Sequence, residues 1–462
     1  MSARREAHIV VDLGFGDSGK GTLTEWLVRQ HGARLVVRFN GGAQAGHNVV
    51  TEDGRHHTFS QFGAGSFVPG VWTHLARPTV FHPLAMLVEA RYLARQGVTD
   101  VLGRTTVSEG ARVITPFHQA AGRLRELARG PGRHGTCGVG VGETVRDALT
   151  HPEETIHAED LRHPEQLVRK ARRAQERLRA ELSEVRRAAS AFSQAEPELR
   201  LMDDLDVPSR WADAVTALQP EERVVEDAWL GNRLQEGTTV FEGAQGVLLD
   251  ENWGFHPHTT WSTCTFDNAL MLLKEHGFDG GVHRLGVLRS YMTRHGEGPL
   301  PTENAALASA LPEPHNGAEG WQGSFRVGSF DAVLARYALA ACGGVDTLAV
   351  THLDRLSEHW QVCTAYRAPL DCDGGQYIRE PLDSTRVTAL CLGRRGDLHS
   401  QERLTHALLQ CEPWLETLEL GKQAEARGER FVSWLEATCE VPVSVTSHGP
   451  AARNKCLRDW RR

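Results

Sequence analysis

The chain has 462 residues, 40% of them hydrophobic and 24% charged, which is the composition of a globular protein with one large core or two to three ordinary ones. Its formal net charge of −8 gives no support to nucleic-acid or anionic-membrane binding, and no apolar run approaches the roughly 20 residues that span a bilayer. The charged amino terminus without a signal-peptide stretch, and nine scattered cysteines without paired zinc spacing, predict a cytoplasmic protein.

The first informative segment, residues 10–22, reads Val-Val-Asp-Leu-Gly-Phe-Gly-Asp-Ser-Gly-Lys-Gly-Thr and predicts a buried strand, a glycine-rich turn and a helix starting near Thr22. Backbone N–H groups and the helix dipole in such a turn bind phosphate oxygens, and Lys20 adds a positive charge. The pattern matches a P-loop, except that Gly21 replaces the hydroxyl residue that normally holds Mg²⁺. Asp17 lies inside the loop, where a carboxylate suits a metal or accepts a proton.

Residues 35–39 predict a second strand, followed by the glycine-rich stretch 40–48. Glycines at this density let the backbone approach a ligand closely. His47 is then expected at the carboxyl end of a strand next to the first one, at the edge where open α/β sheets bind ligands. Together with Asp17, this histidine predicts an acid–base pair.

The remaining elements extend the same pattern. The first 150 or so residues alternate Val/Ile-rich strands with helical periodicity, which is typical of a parallel sheet. Residues 160–200 predict a long amphipathic helix with a solvated Arg/Glu-rich face, and residues 235–250, 345–370 and 441–445 return to strand character. Residues 371–375 predict a surface turn. We expect an α/β fold with a large, mostly parallel central sheet flanked by helices, in one domain spanning 1–462 with a helical excursion at about 155–205.

In the segments 10–22 and 35–48, the chain resembles the adenylosuccinate synthetase family. The family opens with the same strand, a Gly-Asp-x-Gly-Lys-Gly loop and a second strand that ends in Gly-Gly-x-x-Ala-Gly-His. Six further segments are similar to family motifs in the same order along the chain: residues 135–142, 241–250, 291–299, 301–303, 351–354 and 447–450.

The resemblance implies a GTP- and Mg²⁺-dependent ligase of small-molecule substrates that works as a homodimer. In the family, the γ-phosphate of GTP activates O6 of a 6-oxopurine nucleotide, and the amine of L-aspartate displaces that phosphate. Asp17 would then remove the N1 proton, His47 would act as the acid, and Gln245 would hydrogen-bond the base. Lys20 is the remaining expected catalytic residue, and Asp17 and Gly46 would hold Mg²⁺. The expected nucleotide-binding residues are Gly16, Ser18, Gly19, Gly21, Thr22, His352, Asp354, Ser447 and Gly449.

We expect Asp354 to determine the preference for GTP over ATP. A carboxylate at the end of a strand can accept both N1–H and the exocyclic amine of guanine, which adenine cannot satisfy; a simple strand cap is the structural alternative. His352 stands where the family has a lysine and His448 where it has a threonine, so two base contacts differ from the family.

Departures from the family concentrate on the acceptor side. Cys137 replaces a phosphate-binding threonine, Gln44 replaces an asparagine, and His151 aligns with an arginine that crosses the family's dimer interface. Residues 321–331 retain only Arg326 of an arginine run that holds the aspartate carboxylates, and His295 replaces an apolar residue. The expected acceptor-binding residues are Gln44, Thr136, Cys137, Thr260, Arg294 and Arg326.

Three hypotheses remain open from the sequence. The chain is a drifted adenylosuccinate synthetase, a related ligase with another oxo-acceptor or amine, or a nucleotide-binding regulator without ligase activity. The retention of Asp17, Lys20 and His47 speaks against a pure regulator, because binding alone does not need both an acid and a base.

Overall fold

A computed structural model describes residues 5–313, 321–368, 377–381 and 383–459. The surface turn expected at 371–375 lies outside the described residues. The strands are β1 Glu6–Asp12, β2 Leu35–Arg38, β3 His47–Val50, β4 His56–Phe59, β5 Trp72–Leu75, β6 Val80–Phe81, β7 Thr105–Ser108, β8 Arg112–Val113, β9 Val224–Val225, β10 Thr239–Glu242, β11 Gly281–Arg289, β12 Met292–His295, β13 Phe325–Gly328, β14 Phe330–Asp331, β15 Thr347–Thr351, β16 His359–Arg367, β17 Tyr377–Glu380, β18 Asp383–Leu390, β19 Glu412–Glu419, β20 Val443–Ser447 and β21 Lys455–Leu457.

Helices connect and cover these strands. They are α1 Lys20–His31, α2 Pro83–Arg95, α3 Pro116–Ala128, α4 Val141–Thr150, α5 Pro164–Glu181, α6 Ser183–Ala189, α7 Glu196–Asp203, α8 Val207–Val215, α9 Pro220–Arg223, α10 Ala228–Leu234, α11 Asp267–Glu275, α12 Ala305–Ala310, α13 Ala332–Ala341, α14 Leu398–Leu408 and α15 Ala424–Cys439.

A ten-stranded sheet organises the molecule, with the order β21-β20-β15-β11-β1-β10-β2-β5-β7-β9. All neighbours in it are parallel except β20 and β21. The central strand β1 is buried along its whole length, as expected for a parallel strand covered on both faces. Its side chains alternate: Ile9 and Val11 belong to the large core, whereas Val10 packs with Leu23 and Leu27 of α1. The predicted fold class is confirmed.

One expectation about the strand order is wrong. The strands that precede the phosphate loop and the glycine-rich stretch are not neighbours, because β10 lies between β1 and β2 and pairs with both. His47 does not end β2 either; it begins β3, which pairs with β4 as a separate antiparallel hairpin. That hairpin lies against the first turn of α1, where a Cβ on Gly21 would approach the Cβ of His47 to 2.7 Å. The helix itself begins at Lys20, two residues earlier than expected.

The segment 160–200 also differs in detail from one long helix. Leu167, Ala171, Ala174 and Leu178 are buried, as the amphipathic pattern predicts. However, α5 ends at Glu181, and α6 and α7 follow as separate helices that pack against α3. Several short helices can pack around α3 more closely than one long straight helix can. This tertiary packing overrides the continuous helical pattern of the sequence.

Candidate active site

The carboxyl ends of the central parallel strands bring four loops to one edge of the sheet. In register, Glu242 at the end of β10 lies between Val10 of β1 and Arg38 of β2. On the other side of β1, Arg289 at the end of β11 pairs with Thr351 of β15. The loops that follow, residues 13–19, 40–46, 243–246 and 352–354, therefore surround one location.

The phosphate loop is fastened by a carboxylate that sequence analysis did not assign. Asp12, the last residue of β1, accepts the Gly14 N–H and the Ser18 N–H at 2.8 Å each and the Ser18 hydroxyl at 3.0 Å. The buried Lys20 Nζ donates to Asp12 Oδ2 at 3.1 Å and to the Gly16 carbonyl at 2.6 Å. Gly16 and Gly19 have φ values of 110° and 89°, which residues with a side chain rarely adopt. The loop is thus tied to the end of β1 by Asp12, with the Lys20 ammonium group held beneath it.

Asp17 projects from this loop beside the side chains of His295, Lys20 and Arg289. Its side chain is a quarter exposed, and His295 Nε2 lies 3.8 Å from Asp17 Oδ2. Burial raises the pKa of Asp17, while His295, Lys20 and Arg289 oppose that rise. Arg289 also donates to the Asp17 backbone carbonyl at 3.0 Å. A carboxylate with a raised pKa is a better proton acceptor than an ordinary aspartate.

His47 forms a buried pair with Glu242. His47 Nδ1 lies 2.7 Å from Glu242 Oε1, and Glu242 Oε2 accepts the Ala64 N–H at 3.0 Å. Burial lowers the pKa of His47 to about 4, and Glu242 opposes that shift. Burial would raise the pKa of Glu242, but His47 and Arg38 bring it below its ordinary value. The imidazole is therefore neutral near pH 7, with Nδ1–H donated to Glu242 and Nε2 available to a substrate.

Two glutamine amides add unsatisfied polar groups to the same region. Within the part of the chain that the structure describes, the buried side-chain O and N of Gln44 and the Oε1 of Gln245 have no hydrogen-bond partner. Their loops are joined, because the Asn40 side chain donates to the Ala244 carbonyl at 3.0 Å and accepts the Ala244 N–H at 2.8 Å. Buried polar groups are nearly always satisfied, so these amides indicate a polar ligand between the loops.

Lys455 joins the first turn of α1 to the loop after β20. Its Nζ donates to Thr22 Oγ1 at 2.6 Å and to the carbonyls of Ala451, Gly449 and Pro450 at 2.9, 3.1 and 3.1 Å. Burial lowers the pKa of Lys455 to about 8, an effect that Glu25 and, to a smaller extent, Asp354 oppose. The expected nucleotide-binding residues Thr22 and Gly449 thus lie together, with Asp354 within electrostatic reach.

The segment after β15 presents Asp354 and turns His352 inward. The Asp354 side chain is 37% exposed, with Arg355 Nε 3.4 Å from its Oδ2. His352 has a φ of 59°, its Nδ1 lies 2.8 Å from Thr351 Oγ1, and burial lowers its pKa well below the ordinary range. Thr351 Oγ1 also donates to the Ser18 carbonyl at 2.8 Å, which ties this segment to the phosphate loop. Nearby, the Ser447 hydroxyl donates to the Gly449 carbonyl at 3.2 Å.

The acceptor-side loops come together as a separate group. A Cβ on Gly135 would lie 3.4 Å from the Gln322 carbonyl and 3.5 Å from the Glu297 N, and a Cβ on Gly138 would lie 2.8 Å from the Trp321 ring. Residues 135–138, 296–297 and 321–322 are therefore in contact. Cys137 lies in the first of these loops, and burial raises the pKa of its thiol, which stays protonated. The Thr136 hydroxyl beside it accepts the Gly138 N–H at 3.2 Å.

Both arginines expected at the acceptor already have protein partners. The fully buried Arg294 donates to the carbonyls of Glu297, Pro299 and His258 at 2.9, 3.1 and 3.1 Å, and lies over the Phe15 ring. Arg326 donates to Glu303 Oε2 at 2.9 Å and to the Gly298 carbonyl at 2.6 Å. Thr260 is partly exposed, and its N–H donates to the Leu249 carbonyl at 2.8 Å. Acceptor binding by these three residues stays a prediction.

Sequence reasoning did not assign four residues that organise the site: Asp12, Glu242, Arg289 and Lys455. For Asp12 and Glu242 a signal was available, since an ionisable residue at the end of a buried strand needs a partner. Arg289 likewise ends β11, whose last five residues are buried. Lys455 had no local signal, because its partners are Thr22 and a loop that only the fold brings together.

No helix among the described residues combines the length and the apolar character needed to cross a bilayer. The sequence profile of the adenylosuccinate synthetase family matches residues 9–456. The chain is 28% identical over 452 residues to the adenylosuccinate synthetase of Neisseria meningitidis serogroup C (strain 053442) and 29% identical over 453 residues to that of Nitrosomonas eutropha, with 96% of each chain covered in both comparisons.

Two solved structures share the fold. The fully ligated adenylosuccinate synthetase of Plasmodium falciparum matches with a TM-score of 0.76 and 19% identity, covering 98% of this chain and 99% of that one. The succinoaminodeoxyadenylate synthetase PurZ of cyanophage S-2L, bound to dGMP and to dATP as energy donor, matches with a TM-score of 0.57 and 17% identity, covering 98% and 95%. The chain belongs to the adenylosuccinate synthetase family, a family of GTP-dependent ligases that form C–N bonds.

Proposed function

We propose that this ligase transfers the γ-phosphate of GTP to the oxo group of a purine-nucleotide-like acceptor, and that its acceptor–amine pair differs from inosine monophosphate and L-aspartate. The change of acceptor and amine is supported chiefly by the loop 321–331. Its one arginine, Arg326, is bound to Glu303 and to the Gly298 carbonyl. Recognition of a dicarboxylate amine depends on guanidinium groups that can pair with both carboxylates.

The arrangement of Asp17, Lys20 and His47 supports the phosphoryl transfer. Asp17 takes the proton from the ring nitrogen beside the oxo carbon, the oxo oxygen attacks the γ-phosphorus, and GDP leaves. The amine then attacks the same ring carbon, the C–O bond breaks, and phosphate departs while the amine loses a proton. Lys20 compensates phosphate charge. A phosphate dianion at His47 Nε2 raises the pKa of the imidazole, so that His47 becomes protonated on binding.

Residues of the loops 13–19 and 40–46 fit Mg²⁺. Mg²⁺ would be held by the partly exposed Asp17 carboxylate and by the backbone carbonyl of the exposed residue Gly46, because both offer the oxygen ligands that Mg²⁺ prefers. Asp17 also compensates for Gly21, which has no hydroxyl to offer. When bound, Mg²⁺ neutralises charge on the transferring phosphate.

Changes on the acceptor side support a different acceptor. Cys137 is a weak donor to a phosphate dianion, and burial keeps its thiol protonated. The unsatisfied amide of Gln44, which replaces the family's asparagine, points to a ligand of a different hydrogen-bonding pattern. The cyanophage PurZ structure holds dGMP together with dATP as the energy donor, so the same fold accommodates other nucleotides in both roles.

Phosphate release with GTP tests this proposal across 6-oxopurine ribo- and deoxyribonucleotides, each with a panel of amino acids and simple amines, and mass spectrometry identifies the product. We expect weak or absent turnover of inosine monophosphate with L-aspartate and efficient turnover of another pair. Asp17→Asn should lose about 10²- to 10⁴-fold of that activity, whereas the exposed control Asp53→Asn should not.

An ordinary adenylosuccinate synthetase is the second candidate, favoured by similarity over 96% of two curated synthetases. Robust turnover of inosine monophosphate and L-aspartate at micromolar KM would establish it and contradict the proposed substrate change. GTP binding without phosphate release for any pair would instead indicate a regulator.

We also propose a cytoplasmic homodimer. Six cysteines within the described residues are free thiols, which suits a reducing compartment: Cys137, Cys264, Cys342, Cys363, Cys439 and Cys456. Exposed apolar side chains support association: Val88 and Tyr92, one turn apart on α2, are 48% and 53% exposed, and Leu149, two residues before His151, is 65% exposed. Light scattering after size exclusion should give twice the chain mass, and Tyr92→Lys should lower it; a monomeric wild type would contradict the dimer.

A further inference from the structure

A cluster of histidines lies at the amino-terminal edge of the central sheet, opposite the candidate active site. Glu6 and His8 are two residues apart on β1 and therefore face the same side of the strand. The parallel register places His8 beside His283 of β11. His8 precedes Asp12 by four residues, or about 13 Å of strand, so this cluster is distinct from the phosphate loop.

The three side chains direct ligand-type atoms toward one another. Glu6 Oε2 lies 3.6 Å from His8 Nε2, Glu6 Oε1 lies 3.5 Å from His283 Nε2, and all the candidate ligand atoms lie within 4.8 Å of one another. The His8 and His283 rings stack with centroids 4.8 Å apart, and the His31 ring at the end of α1 packs against His8 at 4.1 Å.

His8 supplies an independent sign that something belongs here. The residue is only 8% exposed, and within the described residues its buried Nε2 has no hydrogen-bond partner. A buried polar atom without a partner is costly, and the protein needs a reason to keep one. Two imidazoles beside one carboxylate, with the His31 ring packed against one of them, serve no packing purpose that apolar residues would not serve better.

We propose that Glu6, His8 and His283 bind a divalent transition-metal ion of the Zn²⁺ class. Zinc bonds to imidazole nitrogen and carboxylate oxygen of about 2.0–2.2 Å place tetrahedral ligand atoms about 3.3–3.5 Å apart. Both distances to Glu6 already approach that separation. The His283 side chain is 34% exposed, so it can turn out of the stack to direct Nε2 at the ion, and water completes the shell. Two nitrogen donors favour Zn²⁺ over Mg²⁺.

Titration with Zn²⁺ alone tests the site on chelator-treated full-length protein kept in excess Mg²⁺, with binding followed by calorimetry. The wild type should bind one more Zn²⁺ than His283→Gln does. Any Zn²⁺ affinity that remains at this site in the variant should be lower by more than the roughly 10- to 100-fold that loss of a residue hydrogen-bonded to a metal ligand costs. The matched control is His359→Gln, which removes an exposed strand histidine paired with Glu419 at 2.8 Å. It should retain the wild-type stoichiometry.

Co²⁺ in place of Zn²⁺ gives a second readout that is independent of activity. We expect visible absorption of a four-coordinate site with nitrogen and oxygen ligands, absent in both His283→Gln and Glu6→Gln. The Glu6 variant keeps the side-chain shape and serves if the histidine variant fails to fold. Equal Zn²⁺ stoichiometry in wild type and both variants, or thiolate-to-Co²⁺ absorption, would overturn the site and indicate adventitious binding only.

Discussion

His47 Nδ1 and Glu242 Oε1 lie 2.7 Å apart in the buried interior, although 195 residues separate them in the chain. The pair fixes the imidazole tautomer and its direction, since Glu242 is itself held by the Ala64 N–H at 3.0 Å. Orientation of a histidine by a buried carboxylate is a recurrent arrangement in active sites, and here it joins the end of β10 to the start of β3.

Replacing Glu242 tests this orientation. Glu242→Gln keeps the shape but removes the charge that opposes the lowering of the His47 pKa. We expect kcat to fall roughly 10- to 100-fold, with little change in the KM for GTP, in a phosphate-release assay. Glu89→Gln is the matched control, because Glu89 pairs with another histidine, His57, at 3.3 Å. An equal loss in both variants would mean a general folding defect.

Asp354 should determine the choice between GTP and ATP. Asp354→Asn removes the carboxylate that accepts two guanine N–H groups, and loss of such a charged hydrogen bond costs about 1.5–3 kcal/mol. The ratio of kcat/KM for GTP to that for ATP should fall by roughly 10- to 150-fold. Equal use of ATP and GTP by the unmodified protein would contradict this prediction and implicate His352.

Lys455 should support the nucleotide site without taking part in the chemistry. Lys455→Met removes the bonds from Nζ to Thr22 and to the carbonyls of Gly449 and Ala451. We expect a higher KM for GTP by about 10-fold or more, a lower Tm and a smaller effect on kcat. Lys422→Met, at an exposed position, should change none of these values. A kcat effect without a KM effect would place Lys455 in the chemistry instead.

The protein should lose stability in mild acid. Burial lowers the pKa of His82 to about 4, and its Nδ1 accepts the Ala85 N–H at 3.3 Å as the cap of α2. In the unfolded chain the His82 imidazole binds a proton near pH 6.5, whereas in the folded chain it does so only near pH 4. The contribution of neutral His82 to the free energy of unfolding is therefore complete above about pH 6.5 and is lost as the pH falls toward about 4. His47 and His258, with pKa values of about 4, act in the same direction.

His82→Asn isolates this effect, because asparagine can cap the helix without titrating in this range. We expect its Tm to fall less than that of the wild type between about pH 7 and about pH 5. His399→Asn, at a side chain that is 91% exposed, should follow the wild-type curve. A parallel fall in Tm for all three proteins would exclude His82 as a source of the acid sensitivity.

The sequence was sufficient for features that depend on local patterns. Residues 10–22 predict the strand, the phosphate loop and the helix, and period-two and helical patterns predict the α/β class. It was insufficient where distant segments meet. Nothing local indicates that β10 separates β1 from β2, that Glu242 pairs with His47, or that Arg326 is bound to Glu303.

The position of β10 in the sheet also affects how the chain folds during its synthesis. Both strands that flank β1 in the sheet are encoded late: β10 ends at Glu242 and β11 at Arg289. During synthesis the strand that carries the phosphate loop therefore emerges long before either of its neighbours. Loop closure over such separations is slow. The nucleotide pocket also needs residues 352–354 and 447–455, so it can form only after nearly the whole polypeptide has left the ribosome. Shorter nascent chains expose β1 to premature pairing.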